Sequence, residues 1–166
     1  MITRRLSARA LVALASIAGS APVLAGTTTT TFSVSATVVS TCSVSATALA
    51  FGSIPTPINV NVDGTSTITA TCSANTPYTV ALSTGVGTGA TFASRKMSSG
   101  ANTLSYTAYT DANRTTVWGD GTGSSSLSNQ TGSGAAQTIT VYGRVPAGQS
   151  PAIGSYTDTV TVTVTF

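Results

Sequence analysis

The stretch "GSYTDTVTVTVTF", from Gly154 to Phe166, constrains the fold more than any other part of the sequence. Every odd position from Thr157 to Thr165 is threonine, and every even position from Tyr156 to Phe166 except Asp158 is large and apolar. A period of two sends alternate side chains to opposite faces, so the segment reads as a strand with one apolar face and one hydroxyl face. Its apolar face must lie on a core, and its edge presents a row of backbone donors and acceptors that another strand has to pair. The question this raises is what covers it.

The first 25 residues do not bear on that question. Arg4, Arg5 and Arg9 form a basic start, "ALVALASIA" is a short apolar run, and "GSAPVLA" places Val23 and Ala25 at the small-residue positions that a signal peptidase reads. A secretory signal over residues 1–25 is predicted, with cleavage after Ala25. Three of the seven Lys and Arg lie in it, so four basic residues remain against four Asp, and the high isoelectric point belongs to the leader. Arg95, Lys96, Arg114 and Arg144 are scattered and form no basic stripe, so nucleic acid is not expected as a partner.

The remaining residues, about 141, suit one domain with its own core. They are rich in Thr, Ser, Gly, Ala and Val and contain neither Glu nor His, a composition that favours half-buried strands over helices. The chain is therefore expected to be all-β. Cys42 and Cys72 fit an exported protein and are read as a disulfide between two early strands. A reactive thiol or a metal pair is the alternative, but no His accompanies them.

Along the chain, Phe32, Val34, Ala36 and Val38 alternate with Ser33, Ser35 and Thr37, which predicts a strand ahead of the first cysteine. After Cys42, "SVSATALAFG" is expected to continue that strand to a break at Gly52 and Pro55, and two further strands should flank the turn from Asn75 to Pro77. Further strands are expected near Phe92–Met97, over Thr103–Thr110 and through Tyr142. Between Gly121 and Gly134 the Gly/Ser-rich run reads as a polar, mobile loop. Short strands punctuated this regularly suggest a β-sandwich.

Chemistry is sparse. Without His there is no Ser-His-Asp arrangement, and Asp63, Asp111, Asp120 and Asp158 sit in no motif that pairs carboxylates. Asp63 and Asp120 read as turn residues, and "DANRTTVWGDG" does not match the spacing of a calcium loop. Tyr106, Tyr109 and Trp118 are explained more economically as core aromatics than as a sugar-stacking platform. The "NRT" and "NQT" sequons read as chance matches. No enzyme activity, metal or cofactor is expected.

The elements "LSYTAYTDANRTTVWGDG", "TVYGRVPAGQ" and "GSYTDTVTVTVTF" occur in that order, after the "C...FG" opening, "ITATCSANTPYTVAL" and "SRKM". Together they resemble the spore coat U domain family, which includes subunits of archaic, Csu-type chaperone-usher pili. The resemblance implies an incomplete immunoglobulin-like sandwich that lacks its last strand and is completed by donor-strand complementation. It implies a donor extension over residues 26–38, carrying Phe32, Val34, Ala36 and Val38, ahead of a pilin domain over residues 39–166. It implies an acceptor groove beside the C-terminal strand, with Tyr156, Val160, Val162, Val164 and Phe166 on its wall. The implied partners are a periplasmic chaperone, an outer-membrane usher and neighbouring copies or related subunits, and the implied location is a surface pilus serving adhesion or biofilm formation.

Elementary physics agrees, because a sandwich short of one strand exposes an apolar groove and a free edge that strand addition satisfies together. Two other uses of the same domain stay open: a tip adhesin or ligand-binding module, and a spore or cell coat protein polymerising in the same way. The N-terminal segment is also able to complement its own groove instead of a neighbour's.

Overall fold

The computed structural model describes residues 24–166, so nearly all of the predicted leader lies outside the described residues. The chain divides into two units, one ending at Thr37 and one running from Val38 to Phe166. The described part of the first unit, residues 24–37, carries no strand, contrary to the strand expected over Phe32–Val38. Alternation makes a segment competent to join a sheet; a ladder also needs a partner strand.

The second unit is all-β, with eight strands: β1 (Cys42–Ala46), β2 (Val62–Cys72), β3 (Pro77–Leu82), β4 (Arg95–Ser99), β5 (Asn102–Tyr109), β6 (Ser128–Thr131), β7 (Ala136–Val145) and β8 (Val162–Thr165). They form an antiparallel sheet in the order β1-β2-β7-β5-β4 and a second in the order β6-β3-β8. The long ladder of β2 with β7 runs from Val62 opposite Val145 to Thr71 opposite Ala136 and forms the backbone of the first sheet.

Alternation decides which residues face inward. On β2, Ser66, Ile68, Ala70 and Cys72 are buried; on β3, Tyr78, Val80 and Leu82; on β5, Leu104, Tyr106 and Ala108. The main core joins Ile68, Ala70, Tyr78, Val80, Leu82, Ala108 and Val141 around Trp118, which is fully buried. The Trp118 indole N–H donates to the Val80 carbonyl at 2.8 Å, so its polar handle is satisfied inside the core. A second cluster of Ile58, Leu104, Tyr106 and Val145 lies toward the other end.

Several expectations shift. The strand from Cys42 ends at Ala46, and residues 47–57 carry no strand; Leu49 and Phe51 turn inward to pack on the core instead. Their seat depends on Gly143, where an added Cβ would come within 2.9 Å of both side chains. β4 begins at Arg95, later than the Phe92 expected. The Gly/Ser-rich run is not wholly a loop, for β6 lies in it and pairs with β3 from Ser128 opposite Val80 to Thr131 opposite Pro77. A ladder is made by backbone groups, and an edge strand tolerates a polar sequence.

The final segment also behaves differently at its two ends. Thr157 exchanges backbone hydrogen bonds with Ser98 of β4 in the first sheet, whereas Val162–Thr165 pair with Leu82–Thr79 of β3 in the second. The chain thus crosses from one sheet to the other between Thr157 and Val162.

Candidate functional site

Among the described residues, β1 pairs only with β2 and β8 only with β3, so each has one open edge, and the two strands approach each other on the same side of the sandwich. Between the chain leaving β1, Ala46–Phe51, and the chain entering β8, Tyr156–Val162, runs a groove of about 420 Å³. Its floor is the core itself: Ile68 from β2, Val141 from β7, Ala108 from β5 and Leu82 from β3. A second hollow of about 640 Å³ shares Leu49, Phe51, Met97 and Tyr156 and continues past Ile54 and Leu104 to Ile153, which is 96% exposed. An apolar trough of this kind, rimmed by unpaired backbone, is unfavourable in water.

The even positions from Tyr156 to Val164 are half-buried and the threonines between them exposed, as the alternation requires, although Thr157 and Thr159 still border the groove. Tyr156, Val160 and Val162 line the groove. Val164 lies beyond it, opposite Val80 and packed on the main core, and Phe166 is 55% exposed and lines neither hollow. The opposite wall, with Leu49 and Phe51, was not legible as such because "ATALAFG" reads as a simple continuation of β1.

Asp158 breaks the apolar pattern and lines the groove as well. Its Oδ2 accepts from the Tyr106 hydroxyl at 2.7 Å and its Oδ1 from the Val86 N–H at 2.8 Å. The carboxylate packs so closely on Gly85 that any Cβ there would collide with it, and Gly85 also has φ +89°. Burial, together with the hydrogen bond to Asp158, pushes the Tyr106 phenol well above its ordinary range.

Behind this corner sits a buried cation that the sequence does not advertise. Arg95 is fully buried and donates to three carbonyls, Ser83 at 2.9 Å, Phe92 at 3.0 Å and Trp118 at 2.7 Å. Burial pulls its guanidinium below the usual value. Its fork of donors ties the loops after β3 and after β5 to the start of β4. Asp63, expected in a turn, lies on β2 and accepts two bonds from Arg144, at 2.7 and 2.9 Å, with Arg114 at 3.3 Å. Arg144's hydrogen bonds hold the Asp63 carboxyl below the usual range. Asp111 and Asp120 are turn residues, bonded to Thr115 and Thr116 and to Thr122.

Cys42 and Cys72 form the disulfide, between directly opposite residues of β1 and β2. Just before it, the Thr41 N–H donates to Ser73 Oγ and the Ser73 N–H to the Thr41 carbonyl. Phe32, Val34, Ala36 and Val38 are all solvent-exposed, Phe32 at 85% and Val34 at 83%.

The family model described as "Spore Coat Protein U domain" matches residues 28–163. Over 76 residues the chain is 43% identical to "Protein U" of Myxococcus xanthus, a match covering 43% of this chain and 40% of that protein. Its fold matches a chain in the crystal structure of the CsuC-CsuE chaperone-tip adhesion subunit pre-assembly complex from archaic chaperone-usher Csu pili of Acinetobacter baumannii. That match has a TM-score of 0.57 and 27% identity, and it covers 78% of this chain and 40% of the other. The chain thus spans well under half the length of the Myxococcus protein and of that chain of the Csu complex.

Proposed function

The chain belongs to the Spore Coat Protein U domain family, and from that premise we propose that it is a structural subunit of an archaic chaperone-usher surface fibre. Each copy inserts its segment from residue 26 to 38 into the groove of the next, having been held beforehand by a periplasmic chaperone and passed through an outer-membrane usher. The observation that carries this reading is the groove between Ala46–Phe51 and Tyr156–Val162, apolar on its floor and flanked by two strands that each have an open edge. An added strand pairs with those edges, and its alternate side chains fill the trough. Phe32, Val34 and Val38 contribute roughly 1.5 to 3 kcal/mol each when fully buried, and Ala36 less.

The test is to express the chain without residues 26–38 and offer it a synthetic peptide of that segment. A soluble species that captures the peptide is expected; a stable monomer indifferent to it defeats the reading. The family's name favours a second use of the same chemistry, a coat protein polymerised on a cell or spore surface. The likeness to a chain from a chaperone-tip adhesion subunit complex favours a third, adhesion at a fibre end.

A further inference from the structure

Among the half-buried positions of the groove's wall, Tyr156, Asp158, Val160 and Val162, Asp158 alone carries a charge, and the proposed donor has one small residue among its inward positions, Ala36. We propose that Asp158 sets the register of the incoming strand by requiring a small side chain, Ala36 of a second copy, at the position facing its carboxylate. This rests on the reading of the groove as an acceptor for that segment.

The carboxylate is fixed in place. Tyr106, the Val86 N–H and the close packing of Gly85 hold it from three sides, so it does not swing out of the way of an arriving side chain. A slip of one residue turns the wrong face of the donor inward, and the apolar floor already excludes that. A slip of two residues is the dangerous error, because it keeps Phe32, Val34 and Val38 facing a floor made mainly of Ile68, Val141, Ala108 and Leu82, where the buried hydroxyl of Ser66 is already bonded to Thr47. Such a slip brings Val34 or Val38 against Asp158, and a slip of four brings Phe32; each strips water from a charge without supplying a partner. Only Ala36 leaves room for water beside the carboxylate. Asp158 therefore discriminates among the registers that hydrophobic pairing alone treats alike.

The proposal is tested with synthetic peptides of residues 26–38 binding to the chain from Gly26 onward, read by fluorescence anisotropy. The Ala36→Leu peptide is expected to bind about tenfold or more weakly than the native one, the equivalent of burying one poorly paired polar group. On an Asp158→Asn acceptor that gap is expected to narrow to about threefold or less. An Ala36→Lys peptide, which brings a partner for the charge, is expected to outbind Ala36→Leu on the native chain, and this arm needs no variant of the acceptor. Equal binding of the native and Ala36→Leu peptides overturns the register. A Leu penalty that persists on Asp158→Asn, or equals the Lys penalty, shows crowding alone and overturns the role of the charge. Failure of the native peptide to bind both this chain and one lacking residues 26–38 overturns the acceptor reading beneath it.

Discussion

The Tyr106 hydroxyl donates to Oδ2 of Asp158 at 2.7 Å, joining β5 of the first sheet to the segment that crosses into the second. The bond sits where Thr157 has just left Ser98 and before the chain reaches β3. It therefore fixes the corner around which the last strand changes sheets.

Removing that donor by Tyr106→Phe is expected to cost about 1 to 3 kcal/mol, because the carboxylate loses a partner while the ring stays packed. The alkaline side of the stability curve changes too. The folded state holds the Tyr106 phenol protonated where the unfolded chain, near pH 10, releases the proton. The unfolded state then binds fewer protons, so the stability is present below about pH 10 and falls as pH rises beyond it. Tyr78, also raised by burial, contributes in the same direction. Thermal melts between about pH 8 and 11 are expected to show a shallower alkaline loss in Tyr106→Phe than in the native chain.

Arg95→Met keeps much of the side chain's volume and strands the Ser83, Phe92 and Trp118 carbonyls. A loss of about 2 to 4 kcal/mol in chemical denaturation is expected, since buried acceptors are left without donors. Arg95→Lys is expected to recover only part of it, because an ammonium lacks the planar fork that reaches all three carbonyls. Equal stability of the native and Arg95→Met chains contradicts the role given to those bonds.

What was legible in the sequence follows from where period-two patterns have a core on one side. Ile68, Ala70 and Cys72 on β2, Tyr78, Val80 and Leu82 on β3, and Val160 and Val162 in the last segment all announce their inward face. β6 does not, since Ser128, Asn129, Gln130 and Thr131 are held by the backbone of β3 and carry no apolar alternation. Arg95 is opaque for a related reason: its partners lie 12, 3 and 23 residues away and are carbonyls, which every residue possesses. One wall of the groove was readable from Tyr156, Val160 and Val162. The facing wall, Leu49 and Phe51, depends on a close approach to Gly143 that only the folded chain makes.

The Cys42–Cys72 bridge ties an edge strand, β1, to the long β2. Closing a loop with a sequence separation of 30 is worth about 3.5 to 4 kcal/mol in the chain-entropy account. Cys42→Ser with Cys72→Ser is expected to lose a stability of that order and to lower the periplasmic yield. Unchanged yield in a host unable to form disulfides speaks against that contribution.

Val34→Asp separates the two roles proposed for the chain. Val34 lies in the exposed N-terminal segment, whereas the groove is built from residues 46–51, 156–162 and the floor of the core. The substitution therefore leaves the acceptor unaltered, and capture of a native peptide of residues 26–38 and binding to a chaperone are expected to be retained. As a donor, the variant must bury an aspartate among Ile68, Val141 and Leu82, where no cation lines the groove to meet it. Assembly into fibres is expected to fall by at least about a hundredfold, read by electron microscopy and by heat-resistant oligomers on gels. Fibres forming at the native rate place Val34 outside the donor's inward face. Loss of peptide capture as well shows that the substitution disturbs the acceptor and contradicts the separation of the two roles.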